Sequence, residues 1–270
     1  MADDRPPDDR PPDDRPPDDQ PPDDPSPGGE GAVPAVPPSG EAPPEAPLPE
    51  ELVALEADLL GDDDGALPMF PLGSVLVPSM VLPLHVFEHR YRRLVRDCLS
   101  TEPEFGVVLI ERGREVGGGD VRSDVGTVAR IVEGAELPDG RFALQSVGTR
   151  RIRVLRWLDD APYPRALVED WPDEPDPQDA DPGARRDDAV ALLRRGLVLQ
   201  LELGEPAPDP DIELSDDPEV ASHQVAALAP IGPHDRQRLL VAPSTVARLE
   251  LATTLLVDAV EMLEVRKEMG

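Results

Sequence analysis

The pentad Asp-Asp-Arg-Pro-Pro recurs three times from Asp3, a fourth copy carries Gln20 in place of arginine, and the series ends at Asp23-Asp24-Pro25. A unit of five residues without one apolar side chain buries nothing. Its paired prolines favour extended polyproline II and remove amide donors. Residues 1–66 hold 20 acidic and 3 basic side chains, so −17 of the total net charge of −30 falls there. We expect these 66 residues to form a disordered, acidic, Pro/Asp-rich tail. Inside it Glu50 to Leu60 shows apolar residues at helical spacing, stopped by Gly61 and three aspartates, which suits a transient helix or a short recognition segment.

The remaining 204 residues are still acidic, and this disfavours general binding to phosphate backbones, where affinity rests on Lys and Arg displacing counterions. A single cysteine, Cys98, provides neither an internal disulfide nor a multi-cysteine zinc site. The amino terminus lacks the basic and then apolar stretches of a secretory signal, and no apolar run is long enough to span a bilayer. The expectation is a cytoplasmic protein that avoids membranes.

Lysine sets the limit on chemistry, because Lys267 is the one lysine in the chain. A P-loop nucleotide site needs G-x-x-x-x-G-K-[ST], and a serine-lysine dyad also needs a lysine in place, so neither fits. Gly117-Gly118-Gly119 lies between strand-like segments and reads as a flexible hairpin loop. His85-Val86-Phe87-Glu88-His89 matches the H-x-x-E-H zinc pattern, which requires both histidines on one helix face. Pro83 makes the preceding run a strand and the helical pattern starts at Phe87, so His85 is expected at a strand end and His89 at a helix start. The serines sit in no nucleophile elbow. No catalytic residue, metal or cofactor is expected.

Periodicity gives an α+β chain. Phe105 to Ile110, Thr127 to Val132 and Arg141 to Val147 read as strands, with Asp139-Gly140 as the hairpin turn between the last two. Phe87, Tyr91, Leu94, Val95, Cys98 and Leu99 predict a helix over Glu88 to Leu99 with one apolar face. Residues 67–171 thus form a β-domain with one internal helix. A Pro/Asp-rich linker is expected over 172–187 and helices over 188–270: Asp188 to Leu203, one opened by Asp217 and Pro218, Asp235 to Val241, and Ser244 to Lys267. Val246, Leu249, Thr253, Leu256, Val260 and Leu263 form the seam of the last, for packing within a bundle or for self-association as a coiled coil.

Arg141, Arg150, Arg151, Arg153 and Arg156 form a basic strip around the strand Ile152 to Leu155. It serves either as a solvated strand edge kept from aggregating by its charge, or as a contact patch for acidic partners, the chain's own tail among them.

Leu67-Pro68-Met69-Phe70-Pro71-Leu72-Gly73, Val75-Leu76-Val77-Pro78, Leu82-Pro83-Leu84-His85-Val86-Phe87-Glu88 and Arg90-Tyr91-Arg92 together resemble the Lon protease amino-terminal domain. Phe105-Gly106-Val107-Val108, Val125-Gly126-Thr127-Val128-Ala129, Gly148-Thr149-Arg150-Arg151-Ile152 and Pro162-Tyr163 continue the likeness, and Asp235 to Leu240 with the closing helix resembles its helical extension. His89 departs from the proline usual there. The resemblance implies a PUA-like curved β-domain, a pseudo-barrel, followed by a C-terminal helical bundle. It implies a stand-alone, non-catalytic module that recognises unfolded or tagged proteins or serves a separate protease as an adaptor. The alternative is a PUA-like module for RNA or a small ligand. Phe70, Pro71, Leu72, Leu84, His85, Phe87, Glu88, Arg90 and Tyr91 carry the signature and read as structural, with the binding surface on exposed loops or in the concavity between β-domain and bundle.

Overall fold

The computed structural model describes residues 65–112 and 121–269. The pentad repeats, the Glu50–Leu60 segment and Gly117-Gly118-Gly119 lie outside the described residues. The elements run β1 (Leu67–Leu72), β2 (Val81–Val86), α1 (His89–Ser100), β3 (Glu104–Arg112), β4 (Val121–Glu136), β5 (Phe142–Trp157) and β6 (Arg165–Asp170). Four helices then follow: α2 (Pro182–Glu202), α3 (Pro218–Leu228), α4 (Pro233–Val241) and α5 (Thr245–Met269).

β5 is the spine of the sheet. The expected strands Arg141 to Val147 and Ile152 to Leu155 fall, Arg141 apart, within this single strand of 16 residues. β4 pairs with it antiparallel along one side. Its other side is shared, β2 taking Phe142 to Val147 and β6 taking Ile152 to Trp157. β3 joins β4 antiparallel, and β1 lies between β3 and β6, parallel to the first and antiparallel to the second. Since β6 meets both β1 and β5, the mixed sheet curls back on itself, yet with β2 attached outside that ring it is not a clean barrel. Register shifts at Thr127/Ala129, Ile131/Glu133 and Val154/Arg156 supply the bends that strands this long need. The expected turn between β4 and β5 forms with Gly140 at φ 78°, where a side chain would be strained, and the amide of Leu137 donates to the carbonyl of Arg141. Gly148 matters for another reason: a Cβ there would lie 2.3 Å from the carbonyl oxygen of Val77, so its absence lets the Val75–Val77 segment lie against β5.

Helix α1 buries Tyr91, Leu94, Val95 and Cys98 against the sheet. Tyr91 stacks on Phe70 with ring centroids 4.0 Å apart, and Phe70 tilts against Phe105. Two residues expected on this face are not on it. Phe87 is 61% exposed because the helix begins at His89, so Phe87 still follows the alternation of β2. Leu99 is 48% exposed at the margin of the stripe, in the last turn. The Cys98 thiol donates to the carbonyl of Glu104, and burial pushes its pKa up to about 12. It is a core side chain.

In the helical half, Asp217 caps α3 by accepting from the amide of Glu219, with Pro218 at the first position. Asp181 and Pro182 do the same for α2, which therefore starts six residues before Asp188 and shortens the expected linker. The seam of α5 is occupied from within: Val246, Leu249, Leu256, Val260 and Leu263 are buried, Thr253 is half-buried, and Leu193, Leu197 and Leu199 of α2 share their clusters. That seam is not free for self-association. Sheet and helices are also not separate cores, for Val75, Val77, Leu109 and Val125 belong to the cluster that α2 to α5 bury.

The two halves are fastened by a charge. Asp173, within the expected linker, accepts from Arg151 of β5 and from Arg248 of α5, the latter with an Nη1 contact of 3.0 Å, and from the Thr245 hydroxyl. Arg248 is fully buried and also donates to the Ser222 hydroxyl and the carbonyl of Leu239. Arg151 is 5% exposed and donates to the carbonyls of Leu240 and Ala242, where α4 ends. Burial works against ionisation of Asp173, yet the hydrogen bond and charge of Arg248 outweigh it and hold its carboxyl below the ordinary value. The imidazole of His223 packs beside this cluster. Burial first, and then the charge of Arg248, lower its pKa to about 3.

Substituting Asp173→Asn leaves two buried guanidinium groups without their counter-charge, and urea unfolding should show a loss of about 3–5 kcal/mol. A carboxyl whose folded pKa is depressed contributes stability above its unfolded pKa and loses it as pH falls through the folded one. Wild-type stability should therefore drop on acidification below the ordinary carboxylate range, and the variant should show less of that drop. NMR titration should find the His223 imidazole uncharged from about pH 5 to about pH 8.

A candidate protein-binding face on the sheet

The five arginines of the basic strip do not present five free guanidinium groups. Arg151 is buried in the clamp and is removed from any contact patch. Arg150 is exposed but bonds to Glu104 and Asp170, and Arg141 bonds to Asp139. Glu104 also receives Arg130, and although burial opposes its ionisation, the hydrogen bonds from Arg150 and Arg130 hold its pKa below the ordinary value. Arg153 stands 3.9 Å from Glu169, and Arg151 and Arg153 both lie 4.7 Å from the centroid of the Trp171 ring. Arg156 is exposed and has a partner of its own. The strip is largely a set of internal bonds between β5 and its neighbours.

A cleft of about 370 Å³ does lie where the sheet meets the helices, lined by Ser79, Thr149, Arg151, Trp171, Asp173 and His223 among others. Its floor is the clamp itself. Arg150, Arg151, Asp170 and Asp173 there are already bonded, and this polar junction reads as structural.

A different kind of surface lies on the outer face of β2, β5 and β4. Strand β2 alternates strictly enough to separate two faces. Leu82 and Val86 are buried and Leu84 is half-buried, while Val81, Pro83, His85 and, just beyond, Phe87 are exposed. Register carries the outward face across the sheet: Pro83 stands opposite Gln145 and Gln145 opposite Glu133, and His85 stands opposite Ala143 and Ala143 opposite Ala135. The outward Val81, Pro83, Ala143 and Ala135 line a shallow apolar groove of about 390 Å³ that the inward-packed Leu84 and Leu144 also border, with His85, Gln145 and Glu133 as its polar residues. Val81 is exposed within it, and Phe87, outside its lining, is exposed two residues after His85 on the same outward alternation. This shallow apolar face is a candidate docking surface.

β2 is the end strand of the sheet, so its outer edge is open among the described residues. The carbonyl of Met80 accepts from the amide of Gly148, and by alternation the backbone groups of Leu82, Leu84 and Val86 point to β5, leaving those of Val81, Pro83 and His85 on the open edge. Proline has no donor to offer there. The edge is blunted against strand addition.

The signature residues divide along the same line. Phe70, Pro71, Leu72 and Tyr91 are buried and Leu84 is half-buried against their cluster. Glu88 and Arg90 are half-buried and bond to each other at 3.1 Å, and Arg90 lies over the Tyr91 ring. His85 and Phe87 are outward and belong to the face. His85 in β2 and His89 at the start of α1 share no helix face, and among the described residues no group of His, Cys, Asp and Glu is arranged to hold a metal. The alternation of Phe142, Leu144 and Ser146 against their neighbours was the legible trace of Ala143 and Gln145, while Ala135 and Glu133 carried no sequence signal of their own.

Residues 66–258 match the family model of the ATP-dependent protease La (LON) substrate-binding domain. The Lon protease of Anaeromyxobacter dehalogenans is 30% identical over 206 residues, which are 75% of this chain and 24% of that protein. Lon protease 2 of Myxococcus xanthus is 29% identical over 84% of this chain and 27% of its own length. The chain thus spans about a quarter of the length of these curated relatives, and the match covers no protease or ATPase domain. Among solved structures, the N-terminal domain of Mycobacterium avium complex Lon protease covers 73% of this chain and 98% of that one, with a TM-score of 0.53 at 16% identity. A Lon N-terminal domain protein from Xanthomonas campestris is 34% identical over 68% of this chain and 95% of that one, with a TM-score of 0.49. The family-model match over residues 66–258 takes in the mixed sheet, most of the helices that share its core and the signature from Leu67 to Tyr91: the chain belongs to the Lon protease substrate-binding domain family.

Proposed function

We propose that this chain recognises unfolded or tagged proteins on the outer face of β2, β5 and β4, and acts as an adaptor that supplies them to a protease carried on another chain. The observation that carries the reading is the apolar groove beside Val81 and Phe87, exposed on an otherwise strongly charged molecule. Family membership supports recognition of protein substrates in general. The chain's single lysine, Lys267, supports a role in binding rather than in ATP use or serine-lysine peptide cleavage. The same reading takes the curled sheet as a PUA-like pseudo-barrel and α2 to α5 as its attached bundle. An RNA-binding role draws little from the arginines, since Arg141, Arg150, Arg151 and Arg153 each face a carboxylate.

The test is binding of a permanently unfolded, reduced and alkylated model protein, followed by fluorescence anisotropy. Both Val81 and Phe87 are exposed, so the double variant Val81→Ser, Phe87→Ser should keep its stability to within about 0.5 kcal/mol. Its affinity for the unfolded protein should fall about tenfold or more. Equal binding by variant and wild type would move recognition to another surface.

A further inference from the structure

The charge of the groove narrows what it accepts. Glu133 is the carboxylate in its lining, is exposed, and makes no ion pair among the described residues. The cations that flank it are engaged elsewhere. Arg130, opposite Val147 at one end, is drawn to Glu104 at 2.7 Å, and Arg141, just before β5 at the other, bonds to Asp139 at 2.7 Å. The other polar lining groups are His85 and Gln145. Glu133 therefore keeps an uncompensated negative charge at the rim of an apolar floor made of Ala143 and Ala135, on a chain of net charge −30.

We infer that the groove selects apolar segments that carry a basic residue and rejects those that carry acidic ones, an inference that rests on the recognition role proposed above. The blunted edge at Pro83 keeps the segment from joining as a seventh strand, so it lies across β2, β5 and β4. An apolar side chain then rests over Ala143 and Ala135 while a neighbouring Lys or Arg reaches Glu133. Within a Debye length of about 8 Å at physiological salt, Glu133 attracts a cationic side chain and repels an anionic one.

The experiment uses the full chain and three fluorescent peptides that share one apolar core and differ in flanks: Lys, Gln or Glu. At low salt the Lys peptide should bind about tenfold more tightly than the Glu peptide, with Gln between. The difference should shrink in high salt. Glu133→Lys should reverse the order, and the Val81→Ser, Phe87→Ser variant should weaken all three. Equal binding of the three peptides, with the apolar variant still weakened, would overturn the charge selection and leave recognition standing. A Lys preference that survives Glu133→Lys would overturn the assignment to this groove. If no peptide binds while the unfolded model protein does, selection by short basic-apolar segments is overturned; if neither binds, the recognition role itself falls.

Discussion

Two arginines converge on one carboxylate at the join between sheet and helices, and the fold depends on how that charge is satisfied. A buried ion pair is a poor source of net stability, because desolvating each charge costs several kcal/mol and an apolar cluster of the same shape often does as well. Here the cluster earns its place by geometry. Arg151 binds the last carbonyls of α4, where the helix dipole is negative, and the same guanidinium reaches Asp173 in the segment that leaves β6. Arg248 brings the start of α5 to the same point and ties it to Ser222 of α3. One carboxylate thus fixes a strand and three helices relative to each other. His223 stays neutral as a consequence, since a third cation beside two arginines would have to be buried as well.

The clamp and the proposed face share a strand. Arg151 sits in the C-terminal part of β5, beside β6, and Ala143 and Gln145 sit in its N-terminal part, beside β2. A binding surface built on a strand held at several points is more sharply positioned than one built on a loop. The groove also has a firm underside, since Leu82, Val86, Phe142 and Leu144 pack into the cluster that Tyr91 and Leu94 of α1 complete.

What the sequence revealed follows from which interactions are local. Tyr91, Leu94, Val95 and Cys98 repeat at the helical period, so α1 was legible, and so were the Asp139-Gly140 turn and the Asp217-Pro218 cap. Asp181-Pro182 is the same kind of cap, but it is set among so many other Asp and Pro residues that it reads as linker. The length of β5 was hidden because its middle, Gly148 to Arg151, lacks apolar alternation. Pairing with β4 on one side carries the strand through that stretch. Arg151 was misplaced for a sharper reason: its acceptors lie 22, 89 and 91 positions away, and no local pattern reports a partner at that distance. The groove has the same character, because Glu133, Gln145 and Pro83 become neighbours through register alone.

The heptapeptide Val81 to Phe87 shows why one stretch of family signature can be both architecture and surface. Leu82, Leu84 and Val86 face inward and join the core, which by itself accounts for half of the pattern. Val81, His85 and Phe87 face outward, where core packing places no demand on them and where burial against a partner would recover about 1.5–3 kcal/mol for each large apolar side chain. Pro83 resolves the conflict this creates. An exposed apolar strand at the end of a sheet is a template for aggregation, and a proline whose missing donor falls on the open edge removes that hazard without occupying the face. The strand can therefore keep an apolar outward face while the sheet remains blunted against growth at that edge.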